Sequence, residues 1–122
     1  RGERKSIGSE ITFGTDQNDW NLIELKVKEI ISRVIERLHK SDLLTRNVTI
    51  KIRFQGYETF TRSSSFQNFL AEEDVIFKTA LDLLSEFRSS PKKVRLIGVR
   101  VASLKSGKGQ LSLMPFLTPR AS

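Results

Sequence analysis

The chain of 122 residues holds one histidine, no cysteine and a single dense acidic cluster, so the chemistry available to it rests on its 21 lysines and arginines. His39 stands beside Lys40 at the end of a helical pattern, where a cation complements the helix dipole, and reads as a surface residue rather than a base. Glu72-Glu73-Asp74 are consecutive at the start of a second helical pattern. Three neighbouring side chains on one helical turn diverge, so they cannot converge on a pair of metal ions, and they suit the helix N-terminus instead. Metal-ligand spacing, a glycine-rich phosphate loop ahead of a helix, and a Ser-His-Asp arrangement are all missing. No catalytic residue, metal site or cofactor is therefore assigned to this stretch of sequence.

The chemistry that remains is charge neutralisation. A formal net charge of +7 points to a polyanionic partner, nucleic acid ahead of an anionic membrane surface. The lack of cysteine excludes disulfides and thiolate metal sites and suits a reducing, cytoplasmic setting. No apolar run approaches the roughly 20 residues that a membrane helix needs, and no signal-like segment follows the charged N-terminus, which reads as the end of a linker over residues 1–5.

The elements that must position these charges follow from periodicity. Residues 4–13 alternate, with Ile7, Ser9, Ile11 and Phe13 on one face and Ser6, Gly8, Glu10 and Thr12 on the other, as in a strand. Residues 14–19 have turn chemistry, with Asp16, Asn18 or Asp19 available to cap a helix over 20–40. That helix carries Ile23, Val27, Ile30, Ile31, Val34 and Leu38 in one stripe. Residues 48–54 alternate strictly, burying Val48, Ile50, Ile52 and Phe54 and exposing Thr49, Lys51 and Arg53. A turn at Gln55-Gly56 leads into an antiparallel partner over 57–66. A second helix over 71–88 buries Ile76, Ala80, Leu83 or Leu84, and Phe87, and Pro91 closes it. Residues 94–104 form a last strand with Ile97, Val99 and Val101 inward and Leu96, Gly98, Arg100 and Ala102 outward. The order is βαββαβ, an α+β fold in which one four-stranded sheet carries both helices on one face and leaves the other face open.

Charge sorts by element. The helical segments 19–41 and 71–88 hold 7 basic and 9 acidic residues, whereas the remainder holds 14 basic and 5 acidic. Basic side chains interleaved with Ser, Thr and Gly suit phosphates: small residues admit them to backbone N–H groups, and Arg and Lys neutralise them without reading bases. A reader of specific bases would present polar side chains from a recognition helix, and a single-strand or RNA binder would show stacking aromatics, of which Tyr57 alone is too few.

Taken together, these motifs resemble the C-terminal little-finger domain of Y-family translesion DNA polymerases of the DNA polymerase IV type. The resemblance spans residues 4–104. It rests on Arg4-Lys5-Ser6-Ile7-Gly8 and Glu10-Ile11-Thr12-Phe13, on Val48-Thr49-Ile50-Lys51-Ile52-Arg53 with Thr61-Arg62-Ser63, and on Arg95-Leu96-Ile97-Gly98-Val99-Arg100-Val101. It implies a sheet docked on primer-template DNA across the major groove, joined through a linker to a catalytic core that holds the magnesium ions. The contact set it implies, with the basic strand face, is Lys5, Ser6, Gly8, Lys51, Arg53, Thr61, Arg62, Ser63, Arg95, Gly98 and Arg100. Leu96 departs from the pattern, in which another basic residue is common. The domain alone is expected to be monomeric, to bind DNA and not to polymerise.

Residues 105–122 read as a flexible tail bearing a sliding-clamp-binding peptide at 110–117. Gln110, Leu113, Phe116 and Leu117 resemble the archaeal and eukaryotic spacing, while Gln110-Leu111-Ser112-Leu113 also resembles the start of the bacterial motif, from which Met114-Pro115 departs, so both clamp types stay open. Such a peptide is a short apolar plug suited to a preformed pocket. The alternative is a noncatalytic module that tethers a partner to the clamp, its basic sheet incidental.

Overall fold

The computed structural model describes residues 6–107. Along them run β1 (Ser6–Gln17), α1 (Trp20–Lys40), β2 (Leu43–Phe54), β3 (Thr59–Leu70), α2 (Glu73–Leu84), β4 (Val94–Ala102) and β5 (Lys105–Ser106), with a 3-10 turn at Ser85–Phe87 after α2. The expected α+β architecture is present. The strand order is β1-β4-β2-β3, with β5 added to β2, and every pairing is antiparallel.

Alternation along the strands separates two faces. Val48, Ile50, Ile52 and Phe54 of β2 line up with Val101, Val99, Ile97 and Val94 of β4, and all are buried. Against them α1 lays Ile23, Val27, Ile30, Ile31, Val34, Ile35 and Leu38, and α2 adds Ile76, Ala80 and Leu84. Of the two leucines at the end of α2, Leu84 is buried and Leu83 half-buried. Phe87 leaves the helix for the 3-10 turn and still reaches the core, against Phe54 and Phe60.

Asp19 is the residue that starts α1: its carboxylate accepts from the N–H groups of Asn21 at 3.0 Å and Leu22 at 3.3 Å, satisfying two donors that the helix leaves open. Residues 14–17, expected as a turn, instead continue β1, because β4 offers partners as far as Gln17↔Val94 across a bulge. The hairpin turns later than expected. Tyr57 N–H donates to Phe54 O at 2.8 Å, Gly56 takes φ 90° and Tyr57 φ 73°. A positive φ at the second central residue suits glycine, and β3 then begins at Thr59. Residues 105–107, expected to open the tail, are paired: β5 lies against Leu43 and Leu44, and Gly107 N–H donates to Asp42 O at 2.8 Å.

Candidate nucleic-acid interface

The register of the sheet arranges its open face in rows across four strands. One row runs Gly8, Arg100, Thr49, Ser63, the next Glu10, Gly98, Lys51, Thr61, and the third Thr12, Leu96, Arg53, Thr59. The first two rows, Ser63 excepted, line a shallow depression of about 250 Å³. Its floor is low because Gly98 has no side chain between two long ones. A Cβ there would lie 3.1 Å from Glu10 Cβ and 3.7 Å from Lys51 Cβ, and Lys51 Nζ reaches Glu10 Oε2 across it at 3.6 Å. Gly8 is crowded in the same way, since an added Cβ would stand 3.1 Å from both Arg100 Cβ and Val99 O.

Hydroxyls fix the other side of the depression. Thr49 Oγ1 and Ser63 Oγ share a hydrogen bond of 2.5 Å, and Thr49 also donates to Asn47 Oδ1 at 3.3 Å. Thr49 is buried rather than exposed as its alternation suggested, because Ser63 covers it from β3. Arg53 is oriented by Thr59 Oγ1 at 2.9 Å. Arg100 is exposed and has no hydrogen-bond or ion-pair partner among the described residues, so its guanidinium is available to an external anion.

Arg95 arrives on this side by an irregularity. The inward residues Val94 and Ile97 are three apart, and the β2 register shifts between Arg53 and Phe54, so β4 carries one extra residue at that point. A bulge redirects a side chain in this way. Arg95 stacks on the exposed Tyr57 ring at 4.7 Å and pairs with Asp16 Oδ1 at 3.5 Å.

The structure gathers Ser6, Gly8, Lys51, Arg53, Thr61, Ser63, Gly98 and Arg100 on one face, with Arg95 at its end. It does not place Arg62 with them. Arg62 sits opposite the inward Ile50, so its side chain leaves β3 on the helix side, where it pairs with Glu86 at 3.0 Å and packs over Phe60 and Phe87. Gly98 also acts differently from the expectation. It lies in an interior strand, whose N–H groups are committed to ladders on both sides, so it shapes the depression and offers no free amide. Backbone approach is left to the edge strands β1 and β3; at Gly8 the outward carbonyl already accepts from Arg37 of α1 at 2.9 Å. Lys5 and the segment Gln110, Leu111, Leu113, Phe116 and Leu117 lie outside the described residues.

Sequence reading overlooked Glu10 as the counter-ion of Lys51 and Tyr57 as the platform for Arg95. Only strand order makes Glu10 and Lys51 neighbours across Gly98, so alternation within single strands carries no signal for the pair. His39 is exposed, with Nε2 3.2 Å from Ala71 O, and Glu73 accepts from Ser32 Oγ at 2.6 Å. Among the described residues no cluster of three or more His, Cys, Asp and Glu side chains could hold a metal ion, and no helix is long and apolar enough to cross a membrane.

Comparison with known proteins agrees with this architecture. The model of the impB/mucB/samB family C-terminal domain matches residues 4–113. DNA polymerase IV of Staphylococcus epidermidis is 37% identical over 102 residues, covering 84% of this chain and 29% of the relative. DNA polymerase IV of Halorhodospira halophila is 35% identical over 118 residues, covering 97% of this chain and 33% of the relative. The chain thus spans about a third or less of the length of these curated relatives. Among solved structures, the insertion ternary complex of Dbh DNA polymerase superposes with a TM-score of 0.72 at 21% identity, over 83% of this chain and 29% of that one. The little finger domain of PolIV, in its complex with the beta-clamp processivity factor, gives 0.67 at 23% identity, over 80% of this chain and 86% of that one. With the fold shared and the family model spanning nearly all of it, the chain belongs to the impB/mucB/samB C-terminal domain family, the little-finger domains of the DNA polymerase IV type.

Proposed function

We propose that the open face of the sheet grips the sugar-phosphate backbone of primer-template DNA for a lesion-bypass DNA polymerase, without reading its sequence. The observation that carries this is the basic, side-chain-poor depression around Gly98, with Arg100 unpaired among the described residues at its rim and Lys51 and Arg53 beside it. Duplex phosphates approach such a surface closely, and Arg and Lys there release counterions without discriminating bases. The names of the relatives, and the Dbh polymerase complex among the structural neighbours, support the same reading. In it the domain is monomeric, cytoplasmic and noncatalytic, and the magnesium ions of nucleotidyl transfer belong to the catalytic core of the same polymerase. The test is duplex-DNA affinity as a function of salt. Log affinity is expected to fall steeply with log salt and to vary little with sequence, and Arg100→Ala to weaken every duplex alike while reducing the salt slope by about 1. A flat salt response, or a sequence-selective loss, contradicts the proposal.

A second function is carried by a separate feature. Residues 110–117 resemble a sliding-clamp-binding peptide, and a structural neighbour is a little finger domain in complex with a beta-clamp. We read this segment as the tether to the clamp. Removing residues 110–117 is expected to abolish clamp capture and leave duplex binding intact, whereas undiminished capture overturns the assignment.

A further inference from the structure

At the end of the sheet away from the β2–β3 turn, the last turn of α1, the start of β2 and the end of β3 surround a groove of about 550 Å³. Its size falls within the roughly 300–1,000 Å³ of pockets that bury a ligand. Its walls are largely apolar: Leu43, Leu44, Phe69, Leu70 and Ala71 are half-buried there, above the buried Leu38. Asp42 and Glu72 contribute acidic groups to its lining.

β5 delivers the chain to this groove. Lys105 and Ser106 pair with Leu44 and Leu43, and Gly107 is itself part of the lining. A Cβ on Gly107 would lie 3.3 Å from Leu44 Cγ and 3.3 Å from Asp42 Oδ1, so the backbone passes directly against the apolar wall. Fifteen residues follow Gly107 in the sequence. Those at 110–117 contain no charged residue, and Leu111, Leu113, Met114, Phe116 and Leu117 are apolar. In an extended chain Leu111 and Leu113 come about 13 and 20 Å beyond the rim at roughly 3.3 Å per residue. So short a connection keeps their effective concentration at the groove in the range of mM. Lys108 and Arg120, on either side of the apolar run, complement Asp42 and Glu72 in sign.

We propose that residues 110–117 dock intramolecularly in this groove, with Leu113 and Phe116 as the apolar anchors. The domain thereby shields its own apolar peptide and releases it when a partner pocket takes the same side chains. This extends the tether reading, but the experiment contains no clamp, so the two stand or fall separately.

The sequence contains no cysteine, which makes Thr118→Cys the sole attachment point for a nitroxide on the full chain. Paramagnetic broadening of amide signals is expected to be strongest at Leu44, Phe69 and Ala71, and at least several-fold weaker at Glu24 and Tyr57. In the same labelled chain with Leu113→Asp and Phe116→Asp, the selective broadening at the groove is expected to disappear. Unchanged amide shifts for Ile50 and Val99 in that variant report an intact core. Broadening that is uniform, or that survives the double substitution, overturns the proposal. So does groove broadening that appears when nitroxide-bearing copies without the NMR isotope are mixed with label-free, isotope-enriched ones, because the occupant would then be a second copy.

Discussion

Glu10 is the one acidic side chain in the cross-strand rows of the open face, and it sits where phosphates would come closest. Its pairing with Lys51 is exposed by more than a third on both sides, so it contributes less than about 1 kcal/mol to folding. Its influence on an incoming polyanion is larger in kind, since it repels the ligand and occupies a cation that could serve it. Glu10→Gln is therefore expected to leave the melting temperature nearly unchanged. It should tighten duplex binding at low salt by up to about fivefold, the equivalent of one unit charge acting over about 4 Å in water; anisotropy titrations check both the gain and its loss at high salt. Gly98 makes a different demand. A branched side chain there meets Glu10 Cβ within 3.1 Å before its γ carbons are added. Overpacking of this kind costs about 1–3 kcal/mol, so Gly98→Val should lower the unfolding free energy from urea titration by that amount, with an earlier midpoint, and weaken DNA binding as the floor fills.

At the scale of elements, the helices were legible because their signals are local. The apolar stripe of α1 and the cap at Asp19 need no knowledge of the rest of the chain. Asp19→Ala is expected to cost about 1 kcal/mol in thermal unfolding without changing DNA affinity, since the cap lies on no row of the open face. The strands were legible as alternating patterns, and the β2–β3 hairpin with them, but the place of β4 between β1 and β2 was not. Thr61, Arg62 and Ser63 look equally suited to phosphates in sequence, and alternation says only that the middle one opposes the other two. Which side faces the helices is set by register, and that depends on the turn at Gly56 and Tyr57, which starts β3 at Thr59 and puts Arg62 opposite Ile50. Arg95 is the converse case: it enters the contact set through the resemblance and not through alternation, because a bulge takes it out of the alternating pattern. β1 ran past its expected end because β4 supplied it with partners, and β5 formed because β2 begins five residues earlier than its alternating run. Both are tertiary effects that override local turn propensity.

The whole molecule is a two-layer structure with its charges divided between the layers. The helical segments carry slightly more acid than base, and the strands and connections hold the positive excess. Packed layers stand about 10 Å apart, while the screening length at physiological ionic strength is about 8 Å. Phosphates held on the open face are thus more than one screening length from charges on the outer surface of the helices. Two explanations of DNA binding consequently separate. If attraction depends on net charge, the location of a substitution matters little; if it depends on the sheet face, location decides. Lys28 and Arg33 of α1 border a shallow surface on the helix side, whereas Lys51 and Arg100 line the depression. Lys28→Glu with Arg33→Glu changes the net charge by the same amount as Lys51→Glu with Arg100→Glu. The helix pair is expected to shift duplex affinity by less than about threefold near physiological salt, where the field of those charges is screened. The sheet pair removes two phosphate contacts, which should cut the salt slope by about 2, and sets two carboxylates against the backbone, so binding should become immeasurable under the same conditions. Titrations of both variants at two salt concentrations check this, and equal losses in the two would assign the binding to net charge instead of to the sheet.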